Sequence, residues 1–392
     1  MENLYGYINQ FNDELVKVRR YLHKNPELSF EEFKTQKYIY GKLKELKNAN
    51  IHKIQDSTSI IVTFHSLERG ENICFRADID ALPIQEENNL DFSSKNDGVM
   101  HACGHDAHTS ILLSFAKYID NNYYKLKGDI TLIFQHAEEL PPGGAIEITK
   151  TPQFQKIDKI FGLHVDTTID IGNVAISEKE ATASVSKFNV EILGKGGHSA
   201  YPNISKDPIA LSIEIINDIY YNLSKQLDPR EPVSLVITQI NAGSASNIIP
   251  NKSTFSGSLR TFSSENSDIL KRFIENIIKS HTNKNNEYSY KYNFLEEYLP
   301  VINDIKLFNN IKNIIENETD LQFIQSEPML TSEDFSAYTN EKAGCFILIG
   351  AKNSETFCDF PHHHPRFNID ENSMTIGLLI YIKIFEKFCM KV

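Results

Sequence analysis

The sequence predicts an α/β fold in which a mixed sheet is covered by helices and a second, α+β domain is inserted. The length is the first indication, because 392 residues suit two or three domains of roughly 150 residues each. Short β-branched runs then alternate with longer amphipathic segments in the first half of the chain, as they do in sheets covered by helices. From about Ala183 the order of the elements changes, which indicates that another domain begins there.

The first domain begins with two predicted helices. Phe11, Leu15, Val18 and Leu22 have the spacing of an amphipathic helix, and a second helix is expected over residues 33–46. The elements expected next are strands at 58–64, 72–75, 129–135, 159–165 and 173–176, with a helix at 109–119. Open α/β sheets form their sites at strand ends, so polar clusters that follow these strands are candidates for chemistry.

The inserted domain has a different pattern. The expected elements are a strand at 184–193, a helix at 206–223, strands at 232–241 and 253–262, a helix at 266–281 and a strand at 288–295. This β-α-β-β-α-β order is the split βαβ arrangement of ferredoxin-like domains. The chain then returns with a helix at 305–315, a strand at 345–349 and a helix at 372–388. We therefore predict one discontinuous domain, residues 1–182 and 296–392, and one inserted domain, residues 183–295.

Charge and composition exclude several classes of partner. The chain has 52 acidic and 40 basic residues, a net charge of −12, so most of its surface would repel nucleic acid. No apolar run approaches the roughly 20 residues of a membrane span, and charged residues occupy the start of the chain. Five cysteines in a chain of this length do not form a disulfide framework. We predict a cytoplasmic protein that binds neither nucleic acid nor a membrane.

The densest polar cluster lies between Met100 and His108. It contains three histidines, one cysteine and one aspartate, namely His101, Cys103, His105, Asp106 and His108. Thiolate and imidazole are the ligands that zinc-like ions prefer in proteins. A polar loop that caps the following helix is the alternative interpretation. The density of donors within a few positions favours a metal site.

Two further clusters follow predicted strands. Glu138 and Glu139 end an apolar strand, where one carboxylate can bind a metal ion and the other can act as a general base; an ordinary charged strand end is the alternative. His164 also ends a strand, and Asp78 follows another, where it could orient an imidazole bound to a metal ion or simply form a turn.

Two further segments contain histidines. His362, His363 and His364 lie between two prolines, which restrict the loop and favour a ligand over a solvated tail. His198 follows a glycine-rich run in the inserted domain that lacks the spacing of a phosphate loop. That run could be a plain turn, but we expect His198 to be delivered to the site from the second domain.

Taken together, the motifs resemble the M20 metallopeptidases and amidohydrolases, in the branch of N-acyl-amino acid, hippurate and indoleacetyl-amino acid amidohydrolases. The matching segments, in the order of the family and spread over nearly the whole chain, are LHKNPELSFEE, RADIDALP, MHACGHDAHTS, QHAEELPPGGA, FGLHV, GKGGHSAYP, SASNIIP, TSEDF and HHHPRFNIDE. Arg76 and Cys103 stand where other branches carry histidine and a bridging aspartate. This difference favours the amidohydrolase branch over dipeptidases of the aspartate-bridged kind.

The resemblance implies a metallopeptidase-like catalytic domain with two divalent metal ions, and an inserted lid or dimerisation domain that makes a homodimer or a higher homo-oligomer. The metal ligands it implies are Cys103, His105, Glu139, His164 and, in preference to His364, His363. Glu138 would be the catalytic carboxylate, Asp78 would support the site, and His198 would stabilise the developing oxyanion. Asn247 and Arg260 match positions that hold the polar end of the substrate. Zinc, manganese, cobalt and nickel all suit such donors.

The function we predict is metal-dependent hydrolysis of the amide bond of N-acyl-L-amino acids, with Glu138 as the general base. The products would be a carboxylate and a free amino acid. A dipeptidase or aminopeptidase of the same superfamily is one alternative. A non-catalytic metal-binding or ligand-binding protein is another, although such a protein has no need for a proton-transferring carboxylate beside the ligands.

Overall fold

The computed structural model describes residue 8 and residues 10–283 and 288–390. The described chain forms two compact units. The first contains the described residues up to Ala181, Val301–Glu327 and the described residues from Asp334 onward. The second contains Thr182–Pro300 and Pro328–Glu333. The second unit therefore includes a short segment after residue 327 that the sequence analysis assigned to the larger domain.

The chain up to Thr182 contains five helices and seven strands among its described residues. In chain order they are α1 (Asn12–Lys24), α2 (Phe33–Leu43), β1 (Asn50–Lys53), β2 (Ile60–Phe64), β3 (Ile73–Asp78), α3 (His105–Asn121), β4 (Ile130–Gln135), α4 (Ala145–Ile148), α5 (Pro152–Gln155), β5 (Lys159–Asp170), β6 (Asn173–Ile176) and β7 (Glu180–Thr182). A 3-10 turn, Tyr123–Lys125, follows α3.

The second unit contains the six elements in the predicted β-α-β-β-α-β order and two additional strands of two residues each. They are β8 (Val185–Leu193), β9 (Gly197–His198), α6 (Pro208–Leu223), β10 (Val233–Ala242), β11 (Ile248–Ile249), β12 (Lys252–Thr261), α7 (Ser264–Asn283) and β13 (Ser289–Tyr298). The chain then returns through β14 (Val301–Ile302), α8 (Ile305–Glu318), β15 (Gln322–Gln325), α9 (Ser336–Thr339), β16 (Ala343–Lys352) and α10 (Asn372–Cys389).

An eight-stranded mixed sheet forms the centre of the first unit, in the order β1-β2-β4-β3-β5-β16-β6-β15. Its inner strands β2, β3 and β4 are buried along their whole length, as expected for apolar strands covered on both faces. β3 is parallel to both β4 and β5, so the carboxyl ends of these three strands lie at one edge. The predicted α/β class with a helix-covered mixed sheet is confirmed.

The second unit contains a four-stranded antiparallel sheet in the order β10-β12-β8-β13. Inward and outward residues alternate along β12, which is the pattern of a sheet with one covered face. The core of this unit consists of apolar residues from the sheet and both helices, including Phe188, Phe255, Ile215 and Ile274. The second unit therefore has a core of its own.

Some elements differ from the prediction for identifiable reasons. The edge strands β1 and β15 were missed because they are short and only partly buried, so they show no apolar run. Helix α3 begins at His105, four residues before its predicted start, because its first turn buries polar side chains. Apolar periodicity cannot reveal such a turn. In the part of the chain that the structure describes, every helix is too short or too polar to cross a bilayer.

Candidate metal centre and active site

The strand ends of the first unit bring the predicted site residues together. Asp78 is the last residue of β3, and His164 lies in β5, which pairs with β3 in parallel. Helix α3 begins directly after Gly104, whose φ is 90°. A Cβ at Gly104 would lie 2.3 Å from a methyl carbon of Val165. Glycine is therefore required to bring the start of α3, with His105, against β5.

Cys103 belongs to two groups of possible ligands. In one group, its Sγ lies 3.5 Å from His164 Nε2 and 3.8 Å from His362 Nδ1. In the other, the ligand atoms of Cys103, His105 and Glu139 lie within 4.8 Å of one another, and His105 Nε2 is 3.8 Å from Glu139 Oε1. The thiol therefore lies between two donor groups that share it.

Two of the three consecutive histidines contact these groups. His362 approaches Cys103, whereas His363 Nε2 lies 3.3 Å from Glu139 Oε1. His363 has a φ of 64°, and this left-handed turn lets two neighbouring imidazoles reach different partners. His364 instead accepts a hydrogen bond from Arg366 N and stacks on the ring of Phe360. The structure thus brings all five predicted ligands together and adds His362, which the sequence analysis did not select.

The donors fit a divalent metal ion of the zinc type. His105 Nε2 is buried, and it has no hydrogen-bond partner among the described residues. An unpaired buried nitrogen is unfavourable, and this one faces a thiol and a carboxylate. Sulfur, imidazole nitrogen and carboxylate oxygen are the ligand set of zinc sites and are also accepted by neighbouring transition metals. These donors all belong to the first unit.

Asp80 orients His105. The ring Nδ1 of His105 lies 3.0 Å from the carbonyl oxygen of Asp80 and 3.2 Å from its Oδ1. With the proton on Nδ1, the lone pair of Nε2 is available to a metal ion. Burial disfavours the charged imidazole, but Asp78 and Asp80 outweigh it and raise the pKa of His105 to about 10. A proton and a metal ion therefore compete for the same nitrogen.

Asp78 supports a different histidine. Its Oδ1 lies 2.6 Å from His108 Nδ1, and its Oδ2 accepts a hydrogen bond from Arg76 at 2.7 Å. His108 Nε2 accepts a hydrogen bond from Val165 N at 2.9 Å. Both ring nitrogens of His108 are therefore occupied, so His108 is a positioning group although it lies near His105 and His164. Burial lowers the pKa of His108 to about 4, which agrees with a neutral ring.

A bound cation would favour ionisation of the Cys103 thiol, whereas the other imidazoles can bind a cation in their neutral form. Burial, reinforced by the neighbouring carboxylates of Glu139 and Glu138, raises the pKa of the Cys103 thiol well above its usual range. Only a strong local positive charge would favour the thiolate there. His164 Nδ1 donates to the carbonyl of Val165 at 2.7 Å, which leaves Nε2 available. Burial and neighbouring histidines hold the pKa of His362 well below its usual range.

A buried network lies beside Glu138. Arg76 donates to Gln135, Asp78 and Asp334 at 2.7 to 2.8 Å. Asp334 also accepts hydrogen bonds from Gln135 Nε2 at 2.6 Å and from Ala145 N at 3.1 Å. Glu138 is 7% exposed, and one of its oxygens lies within 4.8 Å of an oxygen of Asp334. Arg76 is the cation that pairs with Asp78 and Asp334.

The other predicted residues lie in the second unit. β9 pairs with β11 so that Ile248 lies opposite His198, and Ser199 N donates to the carbonyl of Asn247 at 3.0 Å. The structure thus brings His198 and Asn247 close together. Arg260 lies on β12 and donates to the carbonyl of Leu330 at 2.8 Å. Their roles toward a substrate remain predictions.

A second buried cluster supports the start of α3. His23 Nδ1 lies 2.8 Å from Asp106 Oδ2, and His23 Nε2 lies 3.2 Å from Glu86. Arg19 lies 3.4 Å from the same oxygen of Asp106. Asp106 directly follows His105, so this cluster anchors the helix that presents a candidate ligand. Sequence reasoning missed His23 and Arg19 because they lie on α1, more than 80 residues before Asp106.

Comparison with known proteins identifies the family of this chain. The sequence pattern of peptidase family M20/M25/M40 matches residues 74–387, which is most of the chain. The chain belongs to this family. The predicted family and the prediction of a metal-dependent amidohydrolase are thereby confirmed.

The M20 chain is similar to proteins with more than one described activity. It is 36% identical to the N-acyl-L-amino acid amidohydrolase of Geobacillus stearothermophilus, over 77% of this chain and 81% of that protein. It is 30% identical to thermostable carboxypeptidase 2 of Saccharolobus solfataricus, over 100% and 99%. Its structure resembles the Bacillus subtilis YXEP protein, a dinuclear metal binding peptidase, with a TM-score of 0.82, 30% identity and 96% and 97% coverage.

One buried carboxyl group of the M20 chain gives a pH-dependent prediction. Burial raises the pKa of Glu32 from 4.5 to about 7. The folded chain thus keeps this proton to higher pH than the unfolded chain does. Ionisation of Glu32 therefore leaves the free energy of unfolding unchanged below about pH 4.5 and lowers it by the full amount above about pH 7. This difference in pKa corresponds to a loss of roughly 3 kcal/mol from the free energy of unfolding. Glu32→Gln should therefore stabilise the chain relative to the wild type at about pH 8 but not below about pH 4.5, as measured by urea unfolding of chelator-treated protein.

Glu31 provides the matched control, because it is the exposed neighbour of Glu32 and Glu31→Gln makes the same change in charge. That variant should follow the wild type at both pH values. If the difference between Glu32→Gln and the wild type were the same at low and high pH, the raised pKa of Glu32 would be refuted.

Proposed function

We propose that this chain hydrolyses the amide bond of N-acyl-L-amino acids with two divalent metal ions. The observation that carries the proposal is the position of Cys103, which is shared by a group with His164 and His362 and a group with His105 and Glu139. Two donor groups with a common thiol suit two neighbouring ions. The similar YXEP protein is described as dinuclear, which supports the same number here.

The ions would supply Lewis-acid activation of a water molecule and of the acyl carbonyl. The chain would supply the proton transfers. Glu138 would remove a proton from the attacking water and return it to the leaving nitrogen, as a general base and then a general acid. Arg76 and Gln135 fix Asp334 beside Glu138, so the carboxylate lies in a rigid polar environment. The side chains of Cys103, His105, Glu139, His164 and His363 or His362 would hold the ions.

The names of two relatives support the proposed substrate class. An N-acyl-L-amino acid amidohydrolase and a carboxypeptidase are both named for substrates whose amide has a free carboxylate on its amine side. In this proposal Asn247 and Arg260 hold that carboxylate, since guanidinium matches carboxylate geometry, and His198 stabilises the oxyanion. Zinc, manganese, cobalt and nickel all suit the donors. We place the enzyme in the cytoplasm, in keeping with its composition.

Self-association through the second unit is part of the proposal. β10 is an edge of the four-stranded sheet, and Val236 and Ile240 on this strand are exposed, as are Ile213 and Tyr221 on α6. An open edge strand with exposed apolar side chains can pair with another strand. A homodimer would cover these groups, and its mass can be measured by light scattering.

The substrate class can be tested by comparing matched amides. The metal-loaded enzyme should release free amino acid from N-acetyl, N-benzoyl or N-indoleacetyl amino acids. The corresponding dipeptides with a free α-amino group should be much poorer substrates, because the proposal places an acyl group on that side of the amide. An N-acyl amino acid amide, which lacks the carboxylate, serves as the control and should also be cleaved poorly.

The alternatives predict other results. Preferential cleavage of free dipeptides would favour the dipeptidase or aminopeptidase interpretation. Preference for long blocked peptides over single N-acyl amino acids would favour a carboxypeptidase. Tight binding of acyl-amino acids with no cleavage under any metal ion would indicate a non-catalytic binding protein.

A further inference from the structure

The segment from Glu27 to Thr35 overlaps the motif LHKNPELSFEE, yet it supplies none of the proposed ligands. It joins α1 to α2. The Glu27 side chain accepts hydrogen bonds from Lys34 N, Thr35 N and the Thr35 hydroxyl at 2.8 to 3.0 Å, which caps the start of α2. Two other side chains of the segment, Ser29 and Glu32, bond to groups beside the candidate site.

Glu32 accepts a hydrogen bond from the backbone N–H of Ala137, the residue before Glu138. Its Oε1 accepts hydrogen bonds from Ala137 N at 2.9 Å and from Phe30 N at 3.0 Å. Its Oε2 accepts one from the Thr58 hydroxyl at 2.5 Å. The side chain is fully buried, so water cannot replace these bonds. The carboxyl group therefore ties α2, the start of β2 and the segment after β4 together.

A second carboxylate, that of Asp80, accepts a hydrogen bond from the backbone N–H of Glu139, the residue after Glu138. Asp80 Oδ2 accepts hydrogen bonds from Glu139 N at 3.0 Å and from the Ser29 hydroxyl at 2.7 Å. Ser29 belongs to the same segment as Glu32. Ala137 and Glu139, the residues on either side of Glu138, thus both donate their backbone N–H groups to buried carboxyl groups. Both carboxyl groups also accept a hydrogen bond from the segment between Glu27 and Thr35.

The backbone at Ala137 needs such support. Ala137 has a φ of 50°, in the left-handed region that costs a residue with a Cβ about 1 kcal/mol or more. This turn changes the direction of the chain immediately before Glu138. An unsupported Ala137 would relax toward negative φ, and the direction of the next side chain would change with it.

We propose that Glu32 is a positioning residue for Glu138, acting through the hydrogen bond from Ala137 N. The inference rests on the proposed function of Glu138 as the general base. Glu32 itself does not touch the reacting atoms. Its length, which lets it reach Ala137 N, matters for the position of Glu138, whereas its charge does not.

Two substitutions separate length from charge. Glu32→Asp keeps the carboxylate but shortens the side chain by one methylene, so it no longer reaches Ala137 N. Glu32→Gln keeps the length and the acceptor oxygen but removes the charge, and the Thr58 hydroxyl can accept from the new amide. We expect kcat of Glu32→Asp to fall about tenfold to a hundredfold with KM and bound metal unchanged. Glu32→Gln should stay within about threefold of the wild type.

Hydrogen exchange provides a readout that does not depend on activity. The amide of Ala137 should exchange faster in Glu32→Asp than in the wild type, and at the native rate in Glu32→Gln. Thr58→Val is the matched control, because it removes only the contact to Oε2 and should change neither kcat nor the exchange of Ala137. These exchange rates can be measured even if no N-acyl-amino acid is cleaved, so failure of the proposed function is distinguishable from failure of this inference.

Three results would overturn the inference. The first is native kcat and native Ala137 exchange in Glu32→Asp. The second is an equal loss of kcat in Glu32→Asp and Glu32→Gln, because the effect would then not depend on the length of the side chain. The third is a loss of kcat in Glu32→Asp that is fully explained by lost metal, because Glu32 would then act on the ligands instead of Glu138.

Discussion

Glu138→Gln should lower kcat for an N-acyl-L-amino acid by about a thousandfold, because general acid–base catalysis contributes roughly 10² to 10⁴ and glutamine cannot take up the proton of the attacking water. The substitution preserves size and leaves the donor groups around Cys103 intact. Metal content per chain should therefore stay native. The measurement is steady-state release of amino acid together with elemental analysis of the same sample.

Glu147→Gln is the matched control for this variant. Glu147 follows Glu138 in the chain, its side chain is 39% exposed, and it belongs to neither donor group. It should retain native kcat. Substantial turnover by fully metal-loaded Glu138→Gln would remove Glu138 from the role of general base.

Cys103→Ala is expected to have an effect of similar size for a different reason. Cys103 is the one residue common to both donor groups that lie around it, so its loss should weaken binding of both ions. Bound metal should fall well below two ions per chain after gel filtration. Since metal activation supplies several kcal/mol, activity should fall by about two orders of magnitude or more. Elemental analysis and amino acid release test both parts.

A second thiol makes the comparison specific. Cys358 is buried and lies outside both donor groups, so Cys358→Ala should retain its metal and its activity. Native metal content in Cys103→Ala would be incompatible with a thiol shared between two ions, and the other donors would then have to be reassigned.

Much of the fold was predictable because its signals are local. The inner strands β2, β4 and β16 are short apolar runs, and α7 has an apolar stripe at helical spacing. Such patterns are visible in the sequence because burial selects apolar residues over many consecutive positions. The first turn of α3 was missed for the opposite reason, since its buried side chains are polar ones that serve the site.

The candidate site was predictable only in part. Motif order identified Cys103, His105 and Glu139, but not which aspartate orients His105. Asp78 and Asp80 are two residues apart, and the chain leaves β3 between them, so local pattern cannot decide which one faces the imidazole. The structure shows that Asp80 contacts His105 and that Asp78 contacts His108 and Arg76.

Contacts between distant parts of the chain were beyond sequence reasoning. Glu32 and Ala137 are 105 positions apart, and one hydrogen bond between them leaves no periodic signal. The approach of His362 as well as His363 to the donor groups likewise depends on a single backbone turn, the φ of 64° at His363. Residues of this kind appear only when the fold places them beside the motif residues.

The central claim is that divalent ions held around Cys103 let this chain hydrolyse N-acyl-L-amino acids. The most direct test is to titrate chelator-treated protein with zinc, manganese, cobalt or nickel while measuring both bound ions and amino acid released from an N-acetyl-L-amino acid. The account predicts no release from the chelated protein and recovery with at least one ion that saturates at two bound ions per chain. Undiminished release from the chelated protein, or saturated binding of all four ions without release, would contradict it.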